Sequence, residues 1–129
     1  MRAEDVVLID VSLLIPIEDH SDARSHRIGD KINQEGVWTK PILVAKDHML
    51  VLDGHHRFSF AKRMGLKKIP AIVVAYEDIK IRSLRKEISF THEDVIRNAK
   101  CHQIYPYKTV KHDLEFILPK IKVDLSSLK

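Results

Sequence analysis

The chain has 129 residues, a formal net charge of +4, 44% hydrophobic and 31% charged residues, which suits one globular domain, 1–129, with a buried core. Its one cysteine, Cys101, excludes an internal disulfide framework and any CxxC metal or redox pair. The basic residues are dispersed, which fits an anionic ligand and gives no reason to expect DNA; no apolar run nears the ~18 residues of a membrane span, and without a signal-peptide pattern a cytoplasmic enzyme or binding module is expected.

In chain order, residues 6–11 read as a strand, followed by Leu13-Leu14-Ile15-Pro16, where proline should end regular pairing. Ser21 or Asp22 can cap a helix to about Gln34, closed by Gly36, with Ala23, Ile28 and Ile32 as a thin apolar face. Residues 41–46 and 48–52 form a hairpin around Lys46-Asp47. A second helix runs over 56–64, where Phe60, Ala61 and Met64 fit a 3.6 period and Gly65 is the stop. Residues 69–75 are the most apolar stretch and read as a central strand. Ile79, Ile81 and Leu84 alternate in a short strand or helical turn, and Thr91 with Asp94 forms a capping box for a helix to about Cys101. The tail from Ile104 reads as irregular, with one edge strand at Ile121-Val123-Leu125. This alternation predicts an α/β (α+β) fold, a small mixed sheet flanked by helices.

The most informative stretch is Asp53-Gly54-His55-His56-Arg57, a strand-to-helix turn. The first amides of a helix lack partners within it and carry the positive end of its dipole, so such a turn is an anion-binding corner. Gly54 allows close backbone approach, Arg57 can offer a planar fork to phosphate oxygens, and His55 and His56 offer ring nitrogens. Asp53 repels a bare phosphate and must therefore act otherwise, by capping the helix, ordering the loop or holding a magnesium ion shared with phosphates. The competing reading is a capped helix with solvated polar residues. Three other groups could complete a site: Glu18 after Pro16, Trp38 with Lys40 before the hairpin, and Lys108-Thr109-Val110-Lys111-His112. Singly, Glu18 reads as a surface acid, Trp38 as core and Lys108 to His112 as a solvated loop.

Together these groups change those readings. The order Pro16-Ile17-Glu18, polar helix, Gly36-x-Trp38-x-Lys40-Pro41, hairpin, DGHHR and Tyr105-Pro106-Tyr107-Lys108-Thr109-Val110-Lys111-His112 resembles the ParB/sulfiredoxin fold, and within it the free L-serine kinases. The likeness covers most of residues 6–128. Family members are roughly twice as long, with an additional lobe between the parts that here meet near 85–90, so this chain resembles a compact form. The resemblance implies Glu18 as catalytic base for the serine hydroxyl, with Asp53 also at the catalytic centre. It assigns Asp53, Gly54, His55, His56 and Arg57 to the donor's phosphates, and Asp53 to Mg2+. Trp38, Lys40, Lys108, Thr109, Lys111 and His112 would bind substrate. Two departures stand out: Trp38 is one residue from the expected aromatic, and Leu84 stands where the family has a tryptophan.

Other members of the fold are separated by single residues. Sulfiredoxins resemble this chain through a GCHR motif whose cysteine is their nucleophile, and here that position is His55. ParB partition proteins carry a DNA-binding helix-turn-helix for which 129 residues leave no room. The expected function is a free L-serine kinase that uses ATP, with ADP the other possible donor, to form O-phospho-L-serine; the alternative is a ParB-like nucleotide-binding module or regulator without kinase activity.

Overall fold

The computed structural model describes residues 2–129. Along the chain run β1 (Val7–Asp10), β2 (Ile15–Pro16), α1 (Asp22–Glu35), β3 (Val37–Trp38), β4 (Ile42–Ala45), β5 (Leu50–Asp53), α2 (His55–Met64), β6 (Lys68–Val74), β7 (Lys80–Ser83), α3 (His92–Lys100), β8 (Val110–Asp113) and β9 (Val123–Asp124). The apolar stretch at 69–75 is central as its composition requires: β6 lies between β1, antiparallel, and β4, parallel. The five-stranded sheet has the order β1-β6-β4-β5-β2.

Alternation along the strands divides the core in two. Ile42 and Val44 of β4 face one side, where Phe58, Phe60 and Ala61 of α2 and Ile32 of α1 pack. Leu43 and Ala45 face the other, against Val95 and Ala99 of α3. Strands covered on both faces read as continuous apolar runs, which is why 42–45 and 69–74 carry little polar alternation.

The helices begin and end where capping chemistry dictates. Ser21 accepts the Arg24 amide at the start of α1, and Gly36 ends it at φ 69°; Thr91 and Asp94 form the expected capping box on α3. The buried face of α1 is Ser25, Gly29 and Ile32, a correction to the expected Ala23, which is exposed. Close packing of α1 on α2 is the reason: a Cβ on Gly29 would stand 2.5 Å from Phe60 Cδ1, so small residues form the contact stripe. Met64, at the end of α2, is 45% exposed, whereas Phe58 is buried.

Two segments expected to lack pairing are strands. Pro16 does not end pairing; β2 runs parallel to β5 at the sheet edge, where a proline's missing donor does no harm. Residues 110–113, read as a solvated loop, form β8 antiparallel to β7. Val110 and His112 are buried while Lys111 is exposed, a period-2 pattern that the polar residues Lys111 and His112 obscured. The tail strand β9 pairs with β3, close to the expected edge strand.

Candidate active site

The DGHHR turn forms where β5 delivers the chain to α2. Asp53 ends the strand, and Gly54 turns at φ 97° with only 2.5 Å between its hypothetical Cβ and Ile42 Cγ2, so both the torsion and the close approach require glycine. No side chain caps α2, which leaves its first amides available to an anion. Burial lowers the Arg57 pKa, against the charge of Asp53. Its Nε is buried without a partner among the described residues. The Asp53 carboxylate, at the exposed strand end, makes no hydrogen bond or ion pair among the described residues.

Glu18 stands opposite, in the segment between β2 and α1. The chain at Tyr105 pairs with this segment, the Tyr105 amide donating to Ile17 O at 2.9 Å and the Asp19 amide to Tyr105 O at 2.8 Å. The following loop then wraps the Glu18 carboxylate. The Lys108 amide donates to Oε2 at 3.1 Å and the Val110 amide to Oε1 at 2.9 Å. Lys108 adopts φ 57° between these two donating amides, a left-handed torsion uncommon for a side-chain-bearing residue. Burial raises the Glu18 pKa, against the amides of Val110, Lys108 and Thr109 and the charge of Arg85.

The loop has its own brace. Arg85 Nη2 donates to Tyr107 O at 2.6 Å and Nε to Thr109 Oγ1 at 3.1 Å, while Thr109 Oγ1 donates to Pro106 O at 2.6 Å. The Leu84 amide donates to Thr109 O at 2.8 Å.

Two cavities meet at Asp53. One of about 200 Å³ is lined by Glu18, Lys40, Asp53, Gly54, His55, His56 and Arg57, with Arg24 and Tyr107. The other, of about 410 Å³, is lined by Asp53, Lys111, His112 and Asp113. Leu52 and Val110 border both. Burial pushes the His112 imidazole down to about 4, and its Nε2 lies 3.0 Å from the Tyr76 hydroxyl.

Most of the residues singled out in the sequence therefore converge, and three of the expected roles need correction. Trp38 is 0% exposed, packs on Phe60 and donates Nε1–H to Lys40 O at 2.6 Å; it is a core residue and lines neither cavity. Thr109 is buried and its hydroxyl is engaged by Pro106 and Arg85, so it orders the loop and has no free donor for a substrate. His55 and His56 do line the smaller cavity, but each uses its Nε2 as an acceptor, from the Ile17 amide at 3.3 Å and the Ser21 amide at 3.1 Å. Burial pushes His55 down to about 3, and burial with the nearby Arg24 charge lowers His56. Lys108 projects over the Tyr107 ring, 5.4 Å from its centroid, and Leu84 is 47% exposed.

Arg24, Tyr107 and Arg85 were not among the sequence candidates. Arg24, in the first turn of α1, reaches Tyr107 Oη at 3.4 Å across the smaller cavity. A basic side chain near the start of a polar helix is the one signal it left in the sequence.

No protein-family model matches the chain. It is similar to an ATP-dependent L-serine kinase of Staphylothermus marinus, 42% identical over an alignment of 109 residues, with 74% of this chain and 43% of that protein covered. It is also similar to an ADP-dependent L-serine kinase of Thermococcus kodakarensis, 29% identical over an alignment of 83 residues, with 60% of this chain and 34% of that protein covered. A solved structure of free serine kinase in complex with AMP superposes with a TM-score of 0.88 at 18% identity, covering 97% of this chain and 94% of the other. The chain has the free serine kinase fold. That is the fold the motifs implied, and its mixed sheet with helices on both faces is the expected α/β arrangement. The chain spans less than half the length of the curated relatives it matches.

Proposed function

We propose that this chain transfers the terminal phosphoryl group of an adenine nucleotide to free L-serine, giving O-phospho-L-serine. The observation that carries this reading is the half-buried Glu18 carboxylate, held by two loop amides beside the uncapped start of α2. A primary hydroxyl is a weak nucleophile, and a positioned base that takes its proton as the oxygen attacks lowers the barrier. Each oxygen of Glu18 keeps a lone pair beyond the one that accepts its amide. Burial moves its pKa upward, nearer the pH at which a base works best.

In the step, the serine Oγ–H proton passes to Glu18 while Oγ bonds to the terminal phosphorus. The bond between that phosphorus and the bridging oxygen breaks, and the shortened nucleotide leaves with the electron pair. The amides at the start of α2, Arg57, Lys40 and Arg24 hold the donor's phosphates. The larger cavity, with Lys111, His112 and Asp113, takes the amino acid, and Lys108 lies in the loop that holds Glu18.

Among the described residues no three His, Cys, Asp or Glu side chains cluster to cage a metal. This fits magnesium, which binds through one or two carboxylates plus substrate phosphates, and Asp53, unpaired between the cavities, is the carboxylate that would hold it. Magnesium there would neutralise charge on the transferring group. ATP is the favoured donor, supported by higher identity to the ATP-dependent relative, 42% against 29% for the ADP-dependent one.

The test is Glu18→Gln. Loss of a positioned base should lower kcat by roughly two orders of magnitude or more with nucleotide affinity nearly unchanged. Full turnover in the variant would remove Glu18 from the chemistry.

A further inference from the structure

We propose that His55 and His56 are positioning residues for Glu18: they fasten the segment that carries it to the first turn of α2. Residues 17–21 lie between β2 and α1 and have little regular structure of their own. Two consecutive side chains of α2 hold this segment on both sides of the carboxylate. His55 Nε2 accepts the Ile17 amide, one residue before Glu18, and His56 Nε2 accepts the Ser21 amide, three residues after it. Ser21 also caps α1, so the His56 bond ties together the starts of both helices.

A ring nitrogen that accepts an amide proton carries no proton itself. Each imidazole is therefore neutral, with its proton on Nδ1, and neither Nε2 is available to a phosphate. The His56 ring is further held edge-on between His20, at 6.2 Å between centroids, and Tyr107, at 5.6 Å. The clamp joins the two halves of the site: the helix start that receives the donor also sets where the base stands. In a reaction whose rate depends on in-line alignment, a misplacement of about 1 Å costs on the order of 100-fold.

The inference rests on Glu18 as the base, and its test separates the two ideas. At each histidine, glutamine keeps an acceptor near the Nε2 position without charge, whereas lysine keeps a cationic donor without the acceptor. For a positioning residue, His56→Lys should lose roughly 10- to 100-fold in kcat, His56→Gln should recover most of it, and nucleotide affinity by calorimetry should hardly move. In the Glu18→Gln background the same lysine substitution should cost little more. His55→Gln and His55→Lys should divide likewise. The opposite ranking, with lysine active, glutamine inactive and affinity following the charge, would make the histidines phosphate ligands and overturn the proposal. The clamp itself is read independently of activity by 15N NMR of the native protein. It requires both rings to be neutral and protonated on Nδ1, and protonation on Nε2 in either ring would refute it even if the variants fail to fold or no kinase activity is found.

Discussion

Acidification should destabilise this protein well before its carboxylates titrate, because two native imidazoles resist protonation. Burial pushes His55 from 6.5 to about 3, reinforced by the neighbouring His112, His56 and His20. Burial pushes His112 from 6.5 to about 4, reinforced by His92 and Lys111 and opposed by Asp53 and Asp113. In the unfolded chain both take up a proton near pH 6.5, whereas the folded protein does not. The stability they provide is thus complete above pH 6.5 and is lost as pH falls toward 4 and then 3. At pH 5 each has cost about 2 kcal/mol, from 1.36 kcal/mol per pH unit, and the pair about 4 kcal/mol, a large part of the ~5–15 kcal/mol that holds a typical domain together. The raised pKa of Glu18 opposes this, since the native state gains that proton more readily, and its effect grows only toward the carboxylate range. Urea unfolding followed by circular dichroism at pH 7, 6 and 5 should show a falling midpoint with little change in slope against urea. His112→Gln should flatten the fall by about half. A midpoint constant from pH 7 to 5 in the native protein would refute the assignment of neutral, desolvated rings.

The remaining predictions concern the site. Arg57→Ala should weaken adenine-nucleotide binding roughly 10- to 100-fold by calorimetry, the range for a charge-assisted hydrogen bond lost; unchanged affinity would make Arg57 a structural residue. Arg85→Ala removes the guanidinium that holds Tyr107 O and Thr109 Oγ1, so the loop that grips Glu18 should loosen and kcat should fall several-fold, with faster amide exchange at Lys108 and Val110. Equal exchange in variant and native protein would show that the loop holds itself.

The fold was legible where local chemistry and burial agree. Gly36, Gly65 and the Thr91–Asp94 box stop and start helices by backbone requirements that act over a few neighbouring residues. The run at 69–75 reports its burial on both faces directly. The contact face of α1 was hidden because Ser25 and Gly29 are selected for smallness against Phe60, a property of the partner helix. β8 was hidden because its partner β7 lies about thirty residues earlier and its inward His112 looks polar in isolation.

The site divided in the same way. DGHHR was legible as a strand-to-helix turn because strand, glycine and helix start are contiguous. Glu18, Lys40 and the 108–112 loop could be joined to it only through resemblance, since 90 residues separate Glu18 from the amide of Lys108 that it accepts. What the string could not show was which ring nitrogens remain free. That depends on the Ile17 and Ser21 amides, 38 and 35 residues away. Trp38 and Thr109 were misplaced for a related reason: a polar or aromatic residue beside a site reads the same in sequence whether it faces the ligand or holds the wall behind it.

The most direct test of the central claim is incubation of the protein with magnesium, L-serine and either ATP or ADP, with O-phospho-L-serine measured by mass spectrometry. Serine-dependent product should form, more from ATP, and should disappear with Glu18→Gln. No phosphoserine from either donor, with the protein folded and nucleotide bound, would contradict it.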